Sequence, residues 1–273
     1  MREGECASDA VDGGLLRRER ALGKEYMVLS RPTMGLKWLG QLLKSPGFVT
    51  IVATLPGTTK LNLQLKGNAG PGNGIPGHKK GATPVFALQQ WEVLQILSEL
   101  PGNCTTVKSD SNGYSYCNLK DTADLTGSLI KADKEVAVYS GHNCTFVPFD
   151  KWACDHLEEA IFPTHAMGKK YIGSHTKSSG NDPALYRVVS AAGENIISFD
   201  PPVHGSKKLG KGEWFEFTTK QDFEVSGTDR FQLVKFMVGQ NYSNLQPGKG
   251  APGDPAMALA VPVEQYRTSY YFL

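Results

Sequence analysis

An internal repeat constrains this chain more than any other feature, because overlooking a repeat miscasts the whole fold. Gly23-Lys-Glu-Tyr26 returns as Gly168-Lys-Lys-Tyr171. Ile51-Val-Ala-Thr54, Gly57 and Leu61-Asn-Leu63 return as Arg187-Val-Val-Ser190, Gly193 and Ile197-Ser-Phe199. Glu92-Val-Leu-Gln-Ile96 is matched by Glu213-Trp-Phe-Glu-Phe217, and Asp133-Lys134 with Gly141-His-Asn-Cys144 by Asp229-Arg230 with Gly239-Gln-Asn-Tyr242. Cys154-Asp155, Pro163 and Tyr171 stand at the same separations as Gly253-Asp254, Pro262 and Tyr270. The spacing predicts two complete units and the start of a third. Residues 1–20 form a tail expected to be disordered, 21–163 the first unit, 164–262 the second, and 263–273 the first strand of a third. Two insertions, Gly67–Gly81 and the Cys104–Cys117 loop, lengthen the first unit.

Each unit reads as β. Strands are expected at 48–54, 60–65, 135–140, 186–190, 195–199 and 231–238, with Pro56-Gly57 and Gly193-Glu194 turning the chain between them. Residues 86–100 carry a helix-like periodicity, with Leu88, Trp91, Leu94 and Leu97 near one face. Their counterpart is aromatic and follows Gly210-Lys-Gly212, so both segments are read as strands. Only 155–161 is expected to be helical, for about two turns. Turn signals roughly every 8–12 residues, with no periodic stretch long enough for crossover helices, predict an all-β fold of repeated β-sandwich-like modules. Thirty Gly and sixteen Pro suit such a turn-rich protein.

Lys and Arg number 29 against 27 acidic residues, a balance that gives no reason to expect nucleic acid or an anionic membrane as partner. No apolar run reaches the ~18 residues of a membrane helix. Cys104/Cys117 and Cys144/Cys154 are local pairs in polar, loop-like sequence, a spacing that suits disulfides in an oxidising compartment; free thiols are the alternative. Zinc fits poorly, since neither pair has C-x-x-C spacing and His142 and His156 complete no ligand set. Cys6 is left over. Asn103, Asn143 and Asn241 stand in N-x-S/T sequons, two of them beside those cysteines.

Motifs of catalysis are weak. Gly72-Asn-Gly74-Ile-Pro-Gly77 has the letters of a dinucleotide fingerprint, but Pro76 and the residues after it open no helix, so a flexible insertion is expected. Ser109-Asp-Ser-Asn-Gly113 lacks the remaining ligands of a calcium loop and reads as a turn. A Cys144–His nucleophile pair needs a free thiol, which a disulfide removes. No catalytic residue, metal ligand or cofactor is assigned. Trp91, Trp214, Phe215 and Phe217 are expected in the core; exposure of Trp91 and Trp214 beside paired carboxylates would instead mark a sugar-binding platform. The sequence thus points to an adhesion or scaffold module that binds partners through its loops. The rival is a secreted carbohydrate-binding or carbohydrate-active protein using those aromatics.

Taken together, Asp124-Leu-Thr-Gly127, Ile130-Lys-Ala-Asp133-Lys, Val136-Ala-Val-Tyr-Ser-Gly-His142, Cys154-Asp-His-Leu-Glu-Glu159, Gly253-Asp-Pro-Ala-Met257 and Pro262-Val-Glu-Gln-Tyr266 resemble the N-terminal domain of the IgG Fc-binding protein family. The likeness runs from about Leu22 to Leu273. It implies a secreted, mucus-associated or cell-surface glycoprotein without catalytic activity, whose signal peptide is missing from this chain. Its partners would be extracellular proteins or glycoproteins, immunoglobulin Fc or mucin-like. No Fc-contact motif carries over residue by residue. Read this way the chain is a fragment: Tyr270-Tyr-Phe-Leu273 would be an edge strand without its partners, prone to self-association.

Overall fold

In the computed structural model, residues 22–38, 40–100, 102, 107–109, 115–117, 123–151, 154–176, 182–239, 242 and 254–269 are described. The chain is all-β. Its strands are β1 (Gly23–Met27), β2 (Met34–Trp38), β3 (Gln41–Ser45), β4 (Gly47–Ala53), β5 (Thr59–Gln64), β6 (Val85–Leu88), β7 (Val93–Leu97), β8 (Val107–Ser109) and β9 (Ser115–Cys117). They continue with β10 (Leu129–Phe146), β11 (Cys154–Ala160), β12 (Gly168–Gly173), β13 (Ala184–Ser190), β14 (Asn195–Asp200), β15 (Lys207–Leu209), β16 (Trp214–Thr219), β17 (Phe223–Met237) and β18 (Ala256–Leu259). Short 3-10 turns lie at Thr164–Ala166 and Val263–Gln265.

Two seven-stranded sheets share one strand order. The first runs β6-β5-β10-β4-β7, with β1 and β11 also on β10; the second runs β15-β14-β17-β13-β16, with β12 and β18 also on β17. The long strands β10 and β17 serve as spines because each pairs in turn with four neighbours. One buried tyrosine fixes the bend of each spine. Tyr26 Oη accepts the Gly23 N–H (2.8 Å) and donates to the Val136 carbonyl (2.7 Å), where the β1 register shifts. Tyr171 does the same with Gly168 (2.9 Å) and Phe231 (2.6 Å).

These landmarks align the two sheets residue by residue. Val136 lies opposite Ala53 and Phe231 opposite Ser190, so Ala53 corresponds to Ser190 and Ile51 to Val188. The sequence match had set Thr54 against Ser190 and Ile51 against Arg187, and is one residue out of register over this strand. The cause is the hairpin that follows. Residues 54–58 join β4 to β5, whereas the shorter 191–194 joins β13 to β14, and the match placed that gap too early. Beyond the hairpin Leu61 corresponds to Ile197, as expected.

Three further expectations are corrected. Residues 155–161 are not helical: β11 alternates buried Asp155 and Leu157 with half-buried His156 and Glu158 and pairs with β10. Tertiary pairing overrides the helical preference of Leu-Glu-Glu-Ala. The Cys104–Cys117 segment contributes to a third sheet, β3-β2-β9-β8, that the sequence did not suggest. The stretch 67–81 is bridged rather than loose. Ala69 and His78 exchange backbone hydrogen bonds, Asn73-Gly74 forms a tight turn closed between Gly72 and Ile75, and Asn68 Nδ2 bonds Glu99 Oε2 (2.7 Å). Residues 1–21, with Cys6, and 270–273 lie outside the described residues.

Hydrophobic burial drives the packing. One cluster fills the first sheet with Tyr26, Val49, Ile51, Leu61, Ile130, Val138 and their neighbours, and continues without a break into Leu185, Val189, Val234, Phe236 and Met257 of the second. The second sheet encloses an aromatic core of its own, in which Tyr186 meets Phe223 (4.9 Å, edge-on) and Phe199 meets Phe217 (5.1 Å).

Candidate functional site

Among the described residues, the outer face of the second sheet is closed and that of the first is open. In the second, Trp214, Val189 and Gln232 form one cross-strand row, and Glu216, Arg187 and Val234 the next. Arg187 is 1% exposed yet fully satisfied. It reaches Asp124 Oδ2 (3.0 Å) and Glu216 Oε1 (2.8 Å), bonds the Ser30 carbonyl and Thr126 hydroxyl, and lies 3.9 Å over the Trp214 ring. Arg31 adds a second contact to Glu216 (2.8 Å) and lies 4.8 Å over Phe236. Burial alone would lift the Glu216 carboxyl, but the two guanidinium groups outweigh it and hold that carboxyl below its usual range. Burial likewise works against charge on Arg187, and Asp124 with Glu216 reverses the effect. The loops after β1 and before β10 thus seal this face.

The corresponding rows of the first sheet are Val93, Val52 and Ala137, then Gln95, Thr50 and Tyr139. They carry no charge. Val93 is 58% exposed, and Val52, Thr50, Ala137 and Tyr139 are half-buried.

Trp91 stands at the rim of this face. The turn leading into β7 has the same bonds as the turn leading into β16. Trp91 N–H bonds Ala53 O (2.7 Å) as Gly212 N–H bonds Ser190 O (2.8 Å). Gln89 N–H bonds the Glu92 carboxylate (2.7 Å) as Gly210 N–H bonds that of Glu213 (2.8 Å). Both third residues have a left-handed backbone, φ 70° at Trp91 and 73° at Gly212. Glycine suits that conformation, and a bulky aromatic does not. At Gly212 the small residue has a second use. The chain there lies so close to Gly127 that a Cβ on either glycine would run into the backbone of the other. Trp91 cannot make such an approach, and its indole is 68% exposed.

The expected core positions therefore divide. Phe215 and Phe217 are buried and Trp214 is half-buried against Arg187, but Trp91 projects into solvent. Gln90 and Gln89 precede it, their amides bonded to the Thr54 carbonyl (3.2 Å) and the Thr58 hydroxyl (3.0 Å).

At the opposite end of the face, Cys144 and Cys154 form a disulfide that ties β10 to β11. Cys117 is also disulfide-bonded; Cys104 lies outside the described residues. His142 is buried beside the bridge. Its Nδ1 accepts the Cys144 N–H (3.1 Å), so Nε2 carries the proton donated to Pro32 O (3.0 Å). Burial, reinforced by the nearby Arg31 charge, lowers its pKa to about 3. His156 instead stacks on Phe48 at 5.7 Å. Asn143 is exposed, whereas Asn103 and Asn241 lie outside the described residues.

The profile of the IgGFc binding protein family matches residues 12–273, starting inside the tail that the sequence reading set apart. The chain is similar to the human IgGFc-binding protein, with 26% identity over 266 residues, 96% of this chain and 4% of that protein. It thus spans a small fraction of the relative's length. No solved structure matches it. Among the described residues no helix is long and apolar enough to cross a membrane, which says nothing about β-barrels. With its profile matched over nearly the whole length, the chain belongs to the IgGFc binding protein family.

Proposed function

We propose that this chain is a non-catalytic, secreted binding module that engages an extracellular protein or glycoprotein through the open face of its first sheet. One observation carries the reading. Trp91 occupies, at a backbone cost, a position that the second sheet gives to glycine, and it exposes a large aromatic there. Exposed tryptophans are over-represented among residues that dominate binding energy. Family membership supports the class of activity, and the Cys144–Cys154 bridge suits an oxidising compartment. Exposed Asn143 is the described position best suited to carry a glycan. By the family's name, immunoglobulin Fc is the first partner to test, and a mucin is the second.

The test is surface binding of the 273-residue chain to immobilised immunoglobulin Fc and to mucin. Trp91→Gly should weaken capture at least tenfold while leaving the fold intact. Equal capture by both forms would remove Trp91 from the site. A sugar-binding role is the second reading, favoured by an exposed indole that follows two amides held by hydrogen bonds. Enzymatic deglycosylation of the mucin separates the two, since it abolishes capture only if sugar is the ligand.

A further inference from the structure

The open edge beside Trp91 assigns a mode of recognition, and this inference rests on the binding reading above. We infer that β7 is a strand-addition site, which takes an extended polypeptide segment of the partner as an additional strand of the first sheet. Among the described residues β7 ends its sheet and pairs with β4 alone. Ala53 N–H bonds Glu92 O (3.2 Å) and Ser98 N–H bonds Gly47 O (2.8 Å), so the even-numbered residues of this segment form the ladder with β4. The odd-numbered residues direct their N–H and C=O groups to the other side. Leu97 O is already taken there by Gly70 N–H (3.0 Å). The groups of Val93 and Gln95 have no pairing strand among the described residues.

An exposed edge is a hazard that proteins usually blunt with charge, proline, bulges or a covering segment. The other end strands of the two seven-stranded sheets show such devices. β15 carries exposed Lys207 and Lys208, β6 follows Pro84, and Glu216 on β16 is tied to Arg31. β7 reads Val-Leu-Gln-Ile-Leu, without a charge, proline or bulge. An edge left bare next to an exposed aromatic is what strand addition requires. Main-chain bonds supply affinity, and alternate side chains supply specificity. An incoming strand would extend the Val93–Val52 row and present a side chain towards Trp91. The window is short, on the order of four residues at ~3.4 Å each. A second copy of β7 fits less well, because antiparallel pairing about Gln95 sets Val93 against Leu97, whose carbonyl Gly70 occupies.

The experiment pans a display library of linear dodecapeptides against the whole chain, then measures selected peptides by calorimetry. Alternating apolar sequences should be enriched. Their amide exchange footprint should show protection at Val93 and Gln95. Gln95→Pro removes an outward N–H that β4 does not use, so it should weaken binding at least tenfold with the far-ultraviolet spectrum unchanged. N-methylating alternate peptide amides should abolish binding. If Gln95→Pro does not fold, Val93→Lys, which places a charge on the edge, should give the same loss. Failure to enrich any peptide overturns the inference. So do peptides that bind Gln95→Pro or their N-methylated forms equally well. If Trp91→Gly still weakens such peptides, the open face stands and only strand addition falls; if it does not, both fall. A concentration-dependent dimer abolished by Gln95→Pro would overturn the choice of occupant.

Discussion

At φ 70° the Cβ of an L-residue crowds its own backbone, at a cost of roughly 1–2 kcal/mol. Trp91→Gly relieves this and forfeits little packing, because the indole is largely exposed. It should stabilise the fold by about 1 kcal/mol, or ~2–4 °C in Tm for a chain of this size, while weakening partner binding. A calorimetric Tm at or below the parent's would show that the indole makes stabilising contacts after all. His142 carries the opposite relation, since here burial makes a residue sensitive to acid. Its folded pKa of about 3 lies below the unfolded value near 6.5, so between these limits the unfolded chain binds the extra proton. Stability from this group is whole above pH 6.5 and declines as pH falls towards 3, by up to ~1.4 kcal/mol per unit. His142→Gln should flatten this part of the pH–Tm curve. An unchanged slope would place the acid sensitivity elsewhere.

Among elements, the spines show which parts of the fold are legible in sequence. Tyr26 and Tyr171 mark the same bend, and Gly-x-x-Tyr recurs because the glycine N–H and the tyrosine hydroxyl bond each other. Tyr171→Phe would leave buried Gly168 N–H and Phe231 C=O without that hydroxyl, at about 1–3 kcal/mol. Tyr26→Phe should cost a similar amount, and urea titration of both checks the equivalence. A loss below ~0.5 kcal/mol in either would mean that water replaces the hydroxyl. Strands at 48–54, 60–65 and 195–199 were readable because alternation and turn residues agree there. Register over β4 and β13 was not, since a hairpin shorter by one residue shifts the match without disturbing the apolar pattern. β11 was hidden because Leu-Glu-Glu-Ala favours helix on its own, and only the pairing with β10 makes it a strand. The sheet of β2, β3, β8 and β9 joins segments far apart in the chain. At the candidate site, Gln-Gln-Trp-Glu against Gly-Lys-Gly-Glu already set a tryptophan where its counterpart has glycine. Only the backbone angle shows that the substitution carries strain, and only the exposure shows that the indole is not core.

For the molecule as a whole, the joint between the sheets decides why one outer face is available and the other is not. Two guanidinium groups and two carboxylates meet in the cluster of buried Arg31, Arg187 and Asp124 with half-buried Glu216, balanced in charge and set against a continuous apolar core. Such a cluster gains little over an apolar replacement, but losing one member strands the others. Arg187→Met keeps apolar contact with Trp214 yet leaves Asp124 and Glu216 with Arg31 as their only guanidinium in the cluster. We expect a loss of about 3–5 kcal/mol in urea unfolding, little changed by salt, because buried charges are poorly screened. Adding Asp124→Leu should restore part of it, since that removes one stranded carboxylate; contacting pairs commonly couple by ~0.5–3 kcal/mol. The loosened joint should also uncover the second sheet's outer face, raising amide exchange along β16 while β7 exchanges as before. A loss under 1 kcal/mol, or β16 exchange that stays slow, would mean that apolar packing alone holds the sheets together and that the charged cluster is not what closes the second face.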